Sequence, residues 1–399
     1  MPPTGCLDGV TLFRFAHMLR KPQAGGVESY LHGLNRKLLE RNRMQILQMY
    51  LTDVNEGLSV QTEHVGRGTI VWMPSLLKAN PEGDGAGSRP FWKKLMSKLA
   101  RDFIVCHDYL LSALSDFPID LAVFHWISED SPIVLDYLRK RTVPFVVFNH
   151  FENSRLKRRL IRKQIGGCRG VAGVADIGVP RFVRSGYLNL SDGIDTDFFD
   201  PEKARPGGKA YPGPVILLPS RITEGKGHLD AIHVVGRLRR QGMITTLVFA
   251  GRLESVRLLD QLRLAIVKEG IQENVVFAGE LSQEDLRDWY AGSDLVILPS
   301  RTEGLARVLL ESQAMCTPVV AYSVGGTPCA IRDGVTGTLV PRLDISRFTR
   351  AVATLLHDPD KRVAMGRDSR HWIVSGFSLE ALAARHEAFY HGALVAGAK

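Results

Sequence analysis

Two carboxylates eight positions apart, Glu303 and Glu311, stand in the segment EGLARVLLE, directly after LVILPSRT. On an ideal helix this spacing leaves about 80° between them, so two helical carboxylates would share a side. Gly304 after Glu303 instead points to a strand-to-helix loop at Glu303, with Glu311 inside the helix. Glu303 would then lie at the C-terminal edge of a sheet, near exposed helix N–H groups that favour a phosphate. A surface glutamate and a solvated helical one fit the spacing equally well. Arg221 and Lys226 form a second group, in SRITEGKGHLD after VILLPS. A strand end, a loop with Gly225 and Gly227, and two cations before a helix would suit a diphosphate, because side-chain charge and helix dipole act in the same sense. It is not a P-loop, since GxxxxGK[ST] is absent.

Three further patterns carry less. Gly25 and Gly26 open a helix after the first strand and would let backbone approach a ligand, although a plain tight turn fits as well. His125 in VFHW and His150 in VFNH end strands, where an imidazole could bond substrate or relay a proton; a structural histidine is the better reading of either. Asp195-Thr196-Asp197 matches a D-x-D metal motif, but its neighbours in SDGIDTDFFDP are those of a turn.

The elements that must position these residues are clearest in the second half. VILLPS (215–220), TTLVFAG (245–251), VVFAG (275–279), LVILPS (295–300) and PVVAYS (318–323) are short apolar runs separated by amphipathic helices. That alternation predicts βαβ units and a parallel sheet covered on both faces. In the first half, 10–15, 46–51, 69–73, 121–126 and 144–149 read as strands. Helices are expected at 27–42, 91–115, 131–140 and 154–165, with a loop over 81–90 and two helical segments after Asp358. DPEKARPGGKAYPGP (200–214) reads as a linker. Two doubly wound domains follow, with ligands expected at the C-terminal strand ends.

The 399 residues, 45% hydrophobic and 23% charged, exclude a disordered or collagen-like chain and suggest two domains. No apolar run approaches membrane-spanning length and the N-terminus makes a poor signal peptide, so an intracellular, cytoplasmic protein is expected. Five scattered cysteines without CxxC spacing argue against a disulfide framework or zinc site. The net charge of +9 is less telling than its clustering. Arg155, Lys157, Arg158, Arg159, Arg162, Lys163 and Arg169 are seven basic residues in a stretch with no acid. Such a patch attracts phosphates, whether of nucleic acid, an anionic membrane surface or a nucleotide; a solvated helix face is the alternative. Aromatic residues are not interleaved, which counts against single-stranded nucleic acid.

Taken in order, these segments resemble glycosyltransferase family 4, retaining nucleotide-sugar transferases of the GT-B fold. The similarity covers most of the chain and is strongest from about 191 to 341. GGVESYL matches the family's N-terminal glycine loop. SDGIDTDFFDP is similar to N-G-V-D-x-x-x-F-x-P, SRITEGKGHLDAI to G-R-L-x-x-x-K-G, and EGLARVLLESQAMCTPVVAYSVGGTPCAIRDGVTGTLV to the E-x7-E block and its glycine-rich loop. The resemblance implies an α/β, GT-B protein with two doubly wound Rossmann-like domains facing across a cleft. It implies an acceptor domain at 1–199, a linker at 200–214, a nucleotide-sugar domain at 215–375, and a C-terminal helix at 376–399 that packs back on the first domain.

By the same resemblance, Arg221 and Lys226 bind the donor diphosphate and neutralise the leaving group. Glu303 holds donor-sugar hydroxyls, Glu311 the ribose hydroxyls, and the amides of Gly304, Leu305 and Ala306 contact sugar or phosphate. Gly279, Glu280 and Leu281 lie near the base, Gly25 and Gly26 belong to the donor site, and His150 lines the reaction centre. The implied activity is transfer from a nucleotide diphosphate sugar, most often UDP-linked, to an acceptor hydroxyl in glycan, polysaccharide or glycolipid synthesis, without metal or other cofactor. A sugar-nucleotide epimerase or glycogen-type phosphorylase of the same fold, and a catalytically idle nucleotide- or nucleic-acid-binding subunit, are the alternatives. Three positions depart from the family pattern: Cys329 follows Gly325-Gly326-Thr327-Pro328 where Glu is usual, Ser220 replaces Gly, and Arg307 stands where an apolar residue is common.

Overall fold

The computed structural model describes residues 5–18, 26–53, 60–78, 110–125, 131–149, 166–173, 187–205, 211 and 213–396. The described residues of Met1–Val174, Gly178–Leu190 and Ala383–Lys399 form one compact unit, and those of Ser191–Leu382 form the other.

In the first unit, β1 (Thr11–Met18), α1 (Gly26–Arg41), β2 (Gln45–Asp53), β3 (Gln61–Val65), β4 (Gly68–Lys78), β5 (Leu121–Phe124), α2 (Ser131–Lys140), β6 (Phe145–Asn149), β7 (Gly170–Gly173) and β8 (Tyr187–Asn189) follow in order. The sheet runs β3-β4-β2-β1-β5-β6-β7-β8 and is parallel except for the β3–β4 hairpin. Phe13, Leu47, Met49, Val71 and Phe124 pack with Val134, Leu135 and Leu138 of α2 on one face of this sheet.

The second unit contains β9 (Val215–Pro219), α3 (His228–Arg240), β10 (Thr246–Ala250), α4 (Val256–Glu269), β11 (Val275–Gly279), α5 (Gln283–Ala291), β12 (Leu295–Leu298), α6 (Arg307–Ala314), β13 (Val319–Tyr322), α7 (Thr327–Ala330), β14 (Thr338–Val340), α8 (Ile345–His357) and α9 (Pro359–Phe377). Its sheet is wholly parallel, in the order β11-β10-β9-β12-β13-β14. Alternate residues face opposite sides of a strand, so Ile216 and Leu218 pack with Leu258, Leu262, Phe348 and Val352 while Val215 and Leu217 pack with Leu309, Leu310 and Ile373. Both faces are therefore buried, which is why these strands are apolar throughout. The strand order turns at β9, and the crevice outside the carboxyl ends of β9 and β12 is the switch point where such sheets bind ligands.

The expected strands and helices within the described residues are all present, but β3, β7, β8, β14, α7 and α8 are additional. Gln61–Val65 is polar because it is an edge strand, while Gly170–Gly173 and Tyr187–Asn189 are too short and too poor in large apolar residues to stand out. Of the helix expected at 91–115, residues 110–115 are helical and the remainder lie outside the described residues, as do 81–90 and 154–165.

The chain passes from one unit to the other earlier than the composition suggests. Residues 191–199, assigned by sequence to the first domain, cluster with the second. The amide of Ile194 donates to the carbonyl of Phe377 at 2.9 Å, the amide of Leu379 donates to the carbonyl of Ile194 at 3.0 Å, and Phe199 lies in the core beside β9. The described part of the 200–214 stretch is also ordered against this unit. Asp200 caps the turn Pro201–Lys203 through the amide of Glu202, and the amide of Arg205 donates to Asp288 at 3.0 Å.

The last helix, α10 (Leu379–Val395), leaves the second unit at Leu382, and its residues from Ala383 onward belong to the first. There Glu387, fully buried, accepts from Arg41 at 2.8 and 2.9 Å and from Asn42 at 2.6 Å. His386 shares a 2.8 Å hydrogen bond with Tyr30. Among the described residues, no helix is long and apolar enough to cross a membrane.

Candidate active site

The loops leaving β9 and β12 meet at the switch point. After β9 the chain makes a single 3-10 turn, Glu224–Lys226, closed by Gly227 at φ 77°. A Cβ on Gly227 would stand 2.0 Å from the carbonyl oxygen of Pro299, so both backbone conformation and close packing require glycine there. The amide of Arg301 donates to the Gly225 carbonyl at 2.8 Å, fastening the two loops. Across this junction Lys226 Nζ donates to Glu303 Oε1 at 2.7 Å. The lysine side chain keeps 26% of its exposure and the glutamate 8%, so this charge-assisted bond is partly shielded from water.

A third loop supports Glu303 from below. Gly325, at φ 53°, would bring a Cβ to 1.8 Å from the Glu303 carbonyl oxygen, and Gly326 would bring one to 1.8 Å from that of Gly304. The amide of Gly326 donates to the Glu303 carbonyl at 3.3 Å. The glycine pair recognised in sequence thus serves as the floor on which the Glu303–Leu305 backbone rests. Cys329 lies one turn further, in α7.

Glu303 sits outside the helix and Glu311 inside it, as Gly304 suggests. Ala306 is the N-cap of α6 and has no side-chain cap, with no acid in the first turn. Gly304, Leu305 and Ala306 therefore lead directly into a helix start whose amides favour an anion. Glu311 is buried in this helix, where Oε2 accepts from the Tyr290 hydroxyl at 3.0 Å and Oε1 lies 3.8 Å from Arg307 Nε. Burial pushes the Glu311 carboxyl above its ordinary pKa, and the Arg307 charge opposes that shift.

The other sequence candidates are placed differently. Arg221 joins a separate pair, donating to Glu254 at 2.6 Å, and its side chain is 62% exposed. Gly279 ends β11, two strand positions from β9, and Glu280 and Leu281 follow it in the loop. Gly26 is the first residue of α1, while Gly25 and His150 lie outside the described residues. His125 is a core histidine, fully buried, bonded to Arg14 at 3.1 Å and packed on Phe148. Asp195 accepts from the amides of Asp197 and Phe198 at 3.1 and 2.9 Å, so its carboxylate closes the turn. Sequence reasoning missed Tyr290 and Asp192 as partners of the E-x7-E helix.

His228 is a further titratable group here. It begins α3 one residue beyond Gly227, is buried edge-on against Phe249, and lines a cavity of about 250 Å³ with Thr223, Glu224 and Arg301. Burial pushes its pKa down to about 4, a contact with the Thr223 backbone acting against this and the Lys226 charge adding to it.

Two outcomes follow. Gly325→Ala is expected to destabilise the protein in urea unfolding by more than Gly270→Ala. Both residues have positive φ, but a Cβ meets nothing within 4 Å at Gly270, so the difference isolates the contact with the Glu303 loop. Equal losses would remove that contact as a constraint. For His228, a pKa lower when folded than unfolded means the unfolded chain binds the extra proton first. Its contribution is complete above about pH 6.5, the unfolded value, and is lost as pH falls toward about 4. A pH series of melts should show that loss shrinking in His228→Gln; parallel curves would contradict it.

Residues 200–372 match the family described as Glycosyl transferases group 1. The chain is 34% identical over 229 residues to a GDP-mannose-dependent alpha-(1-6)-phosphatidylinositol monomannoside mannosyltransferase of Mycolicibacterium smegmatis, across 52% of this chain and 59% of that protein. It is 30% identical over 219 residues to the lipopolysaccharide core biosynthesis mannosyltransferase LpcC of Rhizobium leguminosarum bv. viciae, across 53% and 62% of the two chains. The chain thus covers less than two thirds of either relative's length. A glycosyltransferase structure from Rickettsia africae ESF-5 is similar with a TM-score of 0.71 at 16% identity, over 96% of this chain and 98% of that one, a likeness of fold. The match to glycosyl transferases group 1 thus extends over residues 200–372, and the fold is that of GT-B glycosyltransferase structures.

Proposed function

We propose that the protein is a retaining glycosyltransferase that moves a sugar from a nucleoside diphosphate sugar to an acceptor hydroxyl. The Lys226–Glu303 pair at the switch point, beside the uncapped start of α6, carries this reading. In the reaction the bond from the sugar's anomeric carbon to the diphosphate breaks, and its electron pair leaves with the phosphate oxygen. The acceptor oxygen bonds to that carbon on the same face, and its proton passes to the departing diphosphate. Negative charge therefore develops on the leaving group, where Lys226, Arg221 and the α6 amides would stabilise it. Glu303 would accept hydroxyls of the donor sugar and Glu311 those of the ribose, so neither is assigned as a nucleophile. Arg221 would exchange Glu254 for phosphate, and its exposure leaves it able to turn.

For the donor, relatives named for GDP-mannose weigh toward a guanosine diphosphate sugar rather than the UDP sugar that the wider family suggests. The phosphatidylinositol mannoside and lipopolysaccharide core named in those relatives favour a glycolipid acceptor. No metal is assigned to the reaction, because cations and helix amides supply the charge.

Thermal melts with GDP, UDP, ADP and CMP, each with EDTA or magnesium, test the donor class, since a ligand of the folded state raises stability by mass action. One nucleoside diphosphate should stabilise selectively and independently of EDTA, and the matching sugar conjugate should support transfer with retained configuration. Lys226→Ala should weaken that diphosphate about tenfold, since bonds to charged groups contribute about 1.5–3 kcal/mol. Glu303→Ala should lower turnover more than diphosphate affinity. No shift with any nucleotide, or binding without turnover, would favour an idle binding subunit.

We also propose that the basic stretch from Arg155 to Lys163, which lies outside the described residues, docks on an anionic membrane surface. Co-sedimentation with phosphatidylglycerol vesicles should be strong at low salt and lost at high salt. Binding to neutral vesicles alone, or none, discards the idea.

A further inference from the structure

Two departures from the sequence pattern of the family meet in space. Asp192 stands where the resembled segment N-G-V-D has Asn, and Arg307 where the E-x7-E block commonly has an apolar residue. Although 115 positions apart, Arg307 donates to Asp192 Oδ1 at 3.3 Å and to the Gly193 carbonyl at 3.0 Å. Its Nε faces Glu311 Oε1 at 3.8 Å, one helical turn along α6. The side chains of Arg307, Asp192 and Glu311 keep 18%, 11% and 6% of their exposure.

A carboxylate at this depth needs a counter-charge, and here one guanidinium serves two. Asp192 also accepts from the Gly193 amide at 2.7 Å, so Arg307 is anchored to a rigid turn rather than to a mobile side chain. Glu311 is then held from two sides, by a hydrogen bond from the Tyr290 hydroxyl at Oε2 and by the charge of Arg307 facing Oε1. An unheld glutamate would lose rotamer freedom on binding, whereas a fixed one has already done so. A carboxylate held in one plane is also suited to a vicinal diol, whose two hydroxyls need acceptors at a set spacing.

We propose that Arg307, braced by Asp192, is a positioning residue that holds Glu311 for the ribose diol of the donor nucleotide. This rests on the reading of Glu311 given above. Asp192 and Arg307 act as a matched pair, each supplying the charge that the other's burial demands.

The test is calorimetric titration of GDP and 2′-deoxy-GDP, and of UDP and 2′-deoxy-UDP, into the full chain, Arg307→Ile and the double variant Asp192→Asn/Arg307→Ile. The wild-type protein should prefer the ribonucleotide at least tenfold. Arg307→Ile should lower that preference at least fivefold and also melt earlier, because Asp192 and Glu311 are both left buried without their cation. The double variant removes one of the two unpaired carboxylates, leaving Glu311 with the Tyr290 hydroxyl alone, so its melting temperature should recover in part while the preference stays low. Recovery of both would reduce Arg307 to a support of the fold and overturn the inference. So would an unchanged preference in folded Arg307→Ile. A wild-type protein that binds a nucleoside diphosphate but ignores the 2′-hydroxyl, or binds none, would instead overturn the role of Glu311 itself, and this inference with it.

Discussion

Backbone packed directly on backbone is the constraint from which the site is built. At Gly227 against Pro299, Gly325 against Glu303 and Gly326 against Gly304, the space for a methyl group is already taken by a carbonyl oxygen. These contacts bring together the loops after β9, β12 and β13 without intervening side chains. The Lys226–Glu303 bond can then form between a short loop and a helix entry that have little room to drift. A side chain at any of the three positions would separate the loops, and the charges would lose their register before any charged residue was changed.

The polar residues around this junction divide by burial. Lys226 and Glu303 lie where solvent still reaches the ammonium group, so their bond can be exchanged for contacts with an anion and its hydroxyls. Glu311 and Tyr290 are enclosed, and with Arg307 and Asp192, which solvent reaches less than it does Lys226, they satisfy one another. Arg221 and Glu254 are more open than either set. The gradient runs from fixed framework to adaptable rim, which suits a site that must hold one part of a ligand still while another reacts.

Most of the second unit was legible because its strands are buried on both faces and therefore apolar at every position, as in VILLP and LVIL. The polar edge strand QTEHV offered no such signal, since its composition matches a loop. Gly304 correctly separated Glu303 from the helix that holds Glu311. Pairings over long separations were beyond local pattern: Lys226 and Glu303 are 77 positions apart, and nothing in either segment names the other. The early passage at residue 191 was also hidden, because it depends on Ile194 pairing with Phe377 and Leu379 rather than on a flexible composition.

The divided first unit has a consequence for biosynthesis. Synthesis proceeds from the N-terminus, and domains tend to fold as they emerge. All of Ser191–Leu382 is made before the residues that return to the first unit. Until Glu387 arrives, Arg41 and Asn42 lack the carboxylate that joins them, and until His386 arrives Tyr30 lacks its partner on α10. The unit translated first is therefore the last to be finished, and its unclosed α1 face is the surface that a nascent chain would leave open longest to chaperones.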